Sequence, residues 1–358
     1  MTSPLNKHMD EILTLTKAGD LSRATSLIQR SLAMATTGEA PMKHAKTVRP
    51  KPLIVPRLPS PGRKVAAQPS HSKGAGEMRR HTFSSMHGKL DYLLYVPTSF
   101  DGPAPLIVML HGCTQTAEDF ARGTQMNALA DELGFIVAYP EQAQSANPQK
   151  CWNWFRPGDQ LNGRGEPALI AGIARAIIQN HEVDPARVYV AGLSAGGAAA
   201  SIMACAYPDM FAAAGIHSGL SCGSANSLPS ALAAMQGQSK AGTRGKGRYV
   251  PLITFHGDRD STVHPSNSKR IHDVWANAPE LQELRQVEER GTTAGGRTYR
   301  NRALADASGR TFAESWEITG AGHAWSGGSS TGSYTDSAGP DATREMVRFF
   351  FQHRLAGA

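Results

Sequence analysis

The sequence predicts an α/β fold: a mostly parallel central sheet with helices on both faces. Two observations carry this. From residue 81 onward, short apolar runs of strand length alternate with helix-length stretches, the pattern of repeated βα units around a buried sheet. In the middle of that pattern a G-x-S-x-G motif sits where a strand turns into a helix. The chain has 358 residues, 40 % of them apolar, enough for one such domain with a sizeable core and an extension. No apolar run approaches the roughly 18 residues that a membrane-spanning helix needs.

Three segments are expected. Residues 1–34 read as a helical hairpin. Leu5, Met9, Ile12 and Leu13 follow helical spacing, Gly19-Asp20 breaks it, and Leu21, Ala24, Leu27, Ile28 and Leu32 resume it. Such stripes need a surface, either the body of the same chain or another protein. Residues 35–80 read as a disordered, basic, Pro-rich linker with seven prolines. Residues 41–80 hold ten Lys/Arg against one acid, Glu77, so the net charge of +7 belongs to this segment and the remainder is slightly acidic. A solvated linker is the plain reading and a granule- or polyanion-binding arm the sharper one. The charge balance argues against nucleic acid as a partner of the body. Residues 81–358 form the α/β domain. No apolar leader stands in the first 30 residues, which points to the cytoplasm, with export as the alternative.

Within the domain, 81–86 and 89–96 flank His87-Gly88 as a hairpin. Strands are expected at 106–110, 135–139, 188–191, 211–216, 250–255 and 311–318. Helices are expected at 117–133, 168–180, 195–206, 267–277 and 341–354. The four cysteines, Cys113, Cys151, Cys205 and Cys222, form no C-x-x-C pair, so neither a zinc nor a redox site is expected.

Gly192-Leu193-Ser194-Ala195-Gly196 supplies the candidate nucleophile. A serine on such a turn is held strained with its hydroxyl exposed, and the glycines allow close packing. A free hydroxyl is a weak nucleophile, so a base and an orienting acid are needed. In this architecture they follow in the order acid, then histidine. Phe255-His256-Gly257-Asp258-Arg259-Asp260 ends an apolar strand and offers two acids. Asp260 is the expected partner and Asp258 the expected local turn residue. Gly320-Ala321-Gly322-His323-Ala324-Trp325 offers the base, His323. Leu110-His111-Gly112-Cys113-Thr114-Gln115 ends another strand, and its Cys113 N–H, with that of Ala195, is the expected oxyanion hole. Trp154, in the cluster Cys151-Trp152-Asn153-Trp154-Phe155, and Trp325 are read either as substrate-binding or as core, and Gln115 as substrate-binding.

These motifs, with Y-P-E-Q at 139–142, Y-P-D-M-F at 207–211 and H-G-D-R-D-S-T-V at 256–263, resemble the poly(3-hydroxybutyrate) depolymerase family of esterases and the related feruloyl and acetylxylan esterases. The resemblance spans about residues 80–355. It implies an α/β-hydrolase fold and a serine esterase with no cofactor and no metal. Its substrates would be short-chain carboxylic esters, above all poly- or oligo-(3-hydroxybutyrate), and its triad Ser194, Asp260 and His323. It also implies a Cys113–Cys151 disulfide beside the site. The sequence does not set the oligomeric state.

Overall fold

The computed structural model describes residues 76–356 apart from 239–241, 244 and 246. The expected N-terminal hairpin and nearly all of the expected linker lie outside the described residues.

The chain enters as a β-hairpin, β1 (Glu77–Ser85) and β2 (Gly88–Val96), the first strand beginning four residues earlier than expected. Then β3 (Ala104–Leu110) leads to α1 (Ala117–Thr124) and α2 (Met126–Leu133). Next come β4 (Ile136–Glu141), α3 (Gly165–Asn180), β5 (Val183–Leu193), α4 (Ala195–Ala206) and β6 (Ala213–His217). They are followed by α5 (Leu228–Met235), β7 (Leu252–Gly257), α6 (Ser266–Ala276), β8 (Arg285–Thr292), β9 (Thr298–Ala305) and β10 (Thr311–Ile318). A short pair, β11 (Trp325–Ser326) and β12 (Thr335–Asp336), precedes α7 (Ala342–Phe350).

Ten strands form one sheet in the order β1-β2-β4-β3-β5-β6-β7-β10-β9-β8. The six central strands, β4 to β10 in that order, pair in parallel, and both flanks pair antiparallel. Because side chains alternate across a strand, a central strand that is apolar throughout feeds two cores. In β3, Leu106, Val108 and Leu110 join α3, α4 and α6 on one face, while Ile107 and Met109 join α1, α2 and α7 on the other. This is the α/β-hydrolase arrangement. The C-terminal ends of β3, β5, β7 and β10 share one rim, and there the loops carrying Cys113, Ser194, Asp260 and His323 begin.

Two expected elements need correction. The single helix 117–133 is two helices broken at Gln125, which adopts a left-handed φ of 56° and caps Ala121 through its backbone N–H. The break frees the Thr124 carbonyl, which accepts from Thr343 Oγ1 at 2.6 Å and ties α1 to α7. The closing helix ends at Phe350 rather than 354. In addition, β8 and β9, α5 and the 3-10 turn Pro157–Gln160 were not foreseen.

The strand that leads to His323 is anchored by a buried charge. Glu314 on β10 is buried and accepts from Arg348 Nη2 on α7 at 2.7 Å and from Trp316 Nε1 at 3.2 Å. Removing the cation strands a carboxylate in the core. Arg348→Met is therefore expected to lower unfolding free energy by about 3 kcal/mol, read as a fall in the urea midpoint, while Arg344→Met, whose partner Glu132 is exposed, changes it little.

Candidate active site

Ser194 closes the turn from β5 into α4 with φ 58° and ψ −118°, a conformation that costs a side-chain-bearing residue about 1–3 kcal/mol. Close packing enforces it. A Cβ on Gly192 would lie 2.3 Å from the Gly196 carbonyl oxygen, and one on Gly196 would lie 2.0 Å from the Leu110 carbonyl oxygen. Those contacts wedge the turn against the end of β3. The Ser194 N–H donates to the His217 carbonyl at the tip of β6 (2.9 Å), which fixes the turn from the other side.

Asp260 follows β7 and its side chain is fully buried. Its Oδ1 accepts from the Thr262 and Val263 N–H groups at 2.9 and 2.8 Å, which locks the carboxylate plane. Its Oδ2 faces two imidazoles, His323 Nδ1 at 2.7 Å and His256 Nε2 at 3.3 Å. Burial alone would raise this carboxyl. The neighbouring His323 ring and the hydrogen bonds from His256 and His323 outweigh it and hold the group well below the usual carboxylate range. Asp258 does not bond local backbone as expected: its Oδ1 accepts from the Gly320 N–H at 2.6 Å, pinning the loop that carries His323.

With Nδ1–H donated to Asp260, the His323 ring presents Nε2 as its basic nitrogen. The loop holding that ring is tied to the nucleophile turn through His217. Ser326 N–H donates to His217 Nε2 at 3.0 Å, Trp325 stacks on the His217 ring, and the His217 carbonyl holds Ser194. Burial, followed by the nearby His256 and His323, drives the His217 imidazolium form out of reach, so His217 acts as a neutral brace. The chain singles out no motif at His217; a histidine closing the strand after the nucleophile helix is the signal that was available.

The loop after β3 is equally fixed. Gly112 N–H donates to Gln115 Oε1 at 2.9 Å and Thr114 N–H to the Gln149 carbonyl at 2.7 Å. Among the described residues nothing accepts from the Cys113 N–H, nor from that of Ala195 at the start of α4. Gly112 lies against Ser194, since a Cβ there would be 3.6 Å from the Ser194 Cβ. A disulfide joins Cys113 to Cys151, while Cys205 and Cys222 are buried thiols outside any disulfide.

The expected substrate-binding residues turn inward. Gln115 is 2 % exposed, and its amide is committed to Gly112, Asp119 and Ser333. Trp325 is 1 % exposed, edge-on to Phe120, with Nε1 donated to Thr343. Trp154 packs in the core on the α3 face. All three shape the loops from behind. The group that does stand at the rim is Tyr334, 47 % exposed, whose hydroxyl meets Thr114 Oγ1 at 3.1 Å.

A carboxyl absent from the sequence reading lies behind the disulfide loop. Glu166, near the start of α3, accepts from Asn153 N–H at 2.8 Å, from Asn153 Nδ2 and from Gln142 Nε2. Gln142 N–H in turn donates to His111 Nε2, and the His111 carbonyl accepts from Trp152 Nε1. Burial, with the nearby Asp159, pushes Glu166 up to about 7 despite those donors.

Esterase PHB depolymerase is the family whose profile matches residues 90–275. The chain is 36 % identical over 253 residues to poly(3-hydroxyalkanoate) depolymerase C of Paucimonas lemoignei, covering 67 % of this chain and 60 % of that protein's length. It is 31 % identical over 212 residues to feruloyl esterase B of Thermothelomyces thermophilus, covering 54 % of this chain and 72 % of that protein. Among solved structures, an acetyl xylan esterase from Aspergillus awamori has the same fold, with a TM-score of 0.62 at 20 % identity, covering 77 % of this chain and 100 % of that one.

The Glu166 proton gives a pH signature. Folding raises its affinity for the proton from the ordinary 4.5 to about 7, so it contributes a stability loss that grows as pH rises across that window and then levels. Glu166→Gln cannot ionise. Its urea midpoint relative to the unaltered protein is expected to move in its favour between about pH 4.5 and about pH 7, measured in one buffer series.

Proposed function

This chain belongs to the esterase PHB depolymerase family of carboxylic ester hydrolases, and from that premise we propose that it hydrolyses short-chain hydroxyalkanoate esters, polymeric or oligomeric, through an acyl-enzyme on Ser194. The observation that carries the reading is the rim itself. A strained serine, an imidazole donating Nδ1–H to a buried carboxylate, and two N–H groups without acceptors among the described residues all sit at the ends of parallel strands of one sheet.

In this reading His323 Nε2 takes the Ser194 proton as Oγ attacks the ester carbonyl carbon. The oxyanion forms against the Cys113 and Ala195 N–H groups, and the α4 N-terminus adds positive potential there. Collapse expels the alcohol, which takes the proton from His323. Water, deprotonated by the same ring, then releases the acid and restores Ser194. Asp260 keeps the ring in its Nδ1–H tautomer and stabilises the imidazolium. Asp258 is left to position the loop.

Specificity lives in pocket shape rather than in the triad, so an aryl or sugar ester is the second reading. It is favoured by the likeness to a feruloyl esterase and a probable acetylxylan esterase. Among the described residues no helix is long and apolar enough to cross a membrane. The Cys113–Cys151 bridge beside the oxyanion loop supports work in an oxidising compartment over the cytoplasm.

Ser194→Ala is expected to lower turnover of p-nitrophenyl butyrate by at least about 10⁴-fold with the circular dichroism spectrum unchanged; full turnover would move the nucleophile elsewhere. On a panel of hydroxybutyrate oligomers, methyl ferulate and acetylated xylan, the oligomers should give the highest kcat/KM. A ferulate or xylan preference would select the second reading. Asp260→Asn should cost about 10⁴-fold in kcat, whereas Asp258→Asn should cost far less, and the opposite ranking would reassign the acid.

A further inference from the structure

The opposite end of the sheet holds a second polar site. A cavity of about 210 Å³ opens where β6, β7 and β10 begin, lined among others by Arg248, Glu280, Arg310, Phe312, His353 and Arg354. β7 is six residues long, so this end lies about 20 Å from the catalytic rim.

His353, which follows α7, is 2 % exposed. Its Nδ1 lies 3.0 Å from Arg310 Nη2. A guanidinium can only donate, so Nδ1 is the acceptor and the ring proton sits on Nε2. Among the described residues that Nε2–H is buried without a hydrogen-bond partner, and so is the Nε–H of Arg310. Burial, then the Arg310 charge, keeps the imidazole neutral, down to about 3, which preserves this tautomer. Each unmet buried donor is destabilising until an acceptor reaches it.

Three guanidiniums, Arg248, Arg310 and Arg354, line the cavity against one carboxylate, Glu280, with Asp306 close enough to feel the Arg310 charge. Arg248 spends its N–H groups on the carbonyls of Pro208, Phe211 and Tyr249, and the nearby Asp209 charge acts on it without an ion pair. Arg310 stacks over Phe312. Among the described residues no carboxylate forms an ion pair with Arg248 or Arg310. Arg354 at the edge lies 3.6 Å from Asp184, and Glu280 has an interaction of its own. What the two donors lack is an acceptor, and an oxygen anion that only accepts suits both beside three guanidiniums.

We propose that the cavity is a binding site for a small oxyanion, a carboxylate or a phosphate, gripped by Arg310 and His353. Charge-assisted hydrogen bonds from a guanidinium to such oxygens are the strong ones, and the buried imidazole N–H adds direction. The site is independent of the ester chemistry at the other rim.

The test uses the full chain at pH 7 with sodium phosphate, sodium acetate or sodium chloride at matched ionic strength. Thermal midpoint and calorimetric titration are the readouts. Saturable stabilisation by phosphate or acetate beyond that of chloride is expected, and whichever anion binds more tightly identifies the source. Arg310→Met, which keeps an apolar stem over Phe312, should weaken the apparent Kd by at least about tenfold. Arg310→Lys, which keeps the charge and loses the Nε–H, should also weaken it. Turnover of p-nitrophenyl butyrate should be unchanged in both variants without added anion. Equal stabilisation by chloride, no saturable binding, or the same Kd in both variants would overturn the site.

Discussion

The Asp260 carboxylate is the constraint on which the rest of the rim depends. It is buried on a loop after β7, and a bare charge there would be untenable. Two backbone N–H groups fix one oxygen, and the rings of His323 and His256 converge on the other. The carboxylate stays ionised because those donors surround it, and the His323 ring stays oriented because the carboxylate is ionised. Each side of this arrangement holds the other in place. The parallel sheet makes it feasible by ending β5, β7 and β10 at one edge, so that Asp260 and His323, 63 positions apart, meet without long excursions.

The nucleophile turn obeys the opposite logic, with a strained backbone held by packing rather than by charge. Ser194 keeps its left-handed φ because Gly192 and Gly196 let the turn press against the end of β3 with no side chain between. The same contact brings the Gly112–Cys113 loop beside the serine. His217 then ties this turn to the loop of His323 from a third side, as a neutral ring with both nitrogens used. Rigidity is the common outcome: the backbone that carries Ser194 and the oxyanion donors is fixed before any substrate arrives, which is what preorganised stabilisation of developing charge requires.

Much of this was legible in the sequence because burial on both faces writes a strand as a continuous apolar run, as in 106–110, and because the nucleophile turn needs glycines at fixed spacing. The hairpin of β8 and β9 was not legible, since Arg285-Gln286-Val287-Glu288-Glu289-Arg290 is exposed at the sheet edge and its strand form comes from pairing. The break at Gln125 has only Gly123 as a local signal, and the Thr343 bond to the Thr124 carbonyl that accompanies it is tertiary. Nearness along the chain to a reactive residue does not give direction: Gln115, expected at the substrate, and Trp325, left open between substrate and core, both turn into the core. Asp258 shows the same limit: its partner, Gly320, is 62 residues away.

The central claim is that one serine is activated by one imidazole at this rim. A fluorophosphonate, which reacts with activated serines and leaves ordinary ones alone, tests it directly by mass mapping of the labelled peptide. The account predicts a single adduct on Ser194, formed at a rate that collapses in His323→Ala. Labelling at another residue, or undiminished labelling of Ser194 without His323, would contradict it.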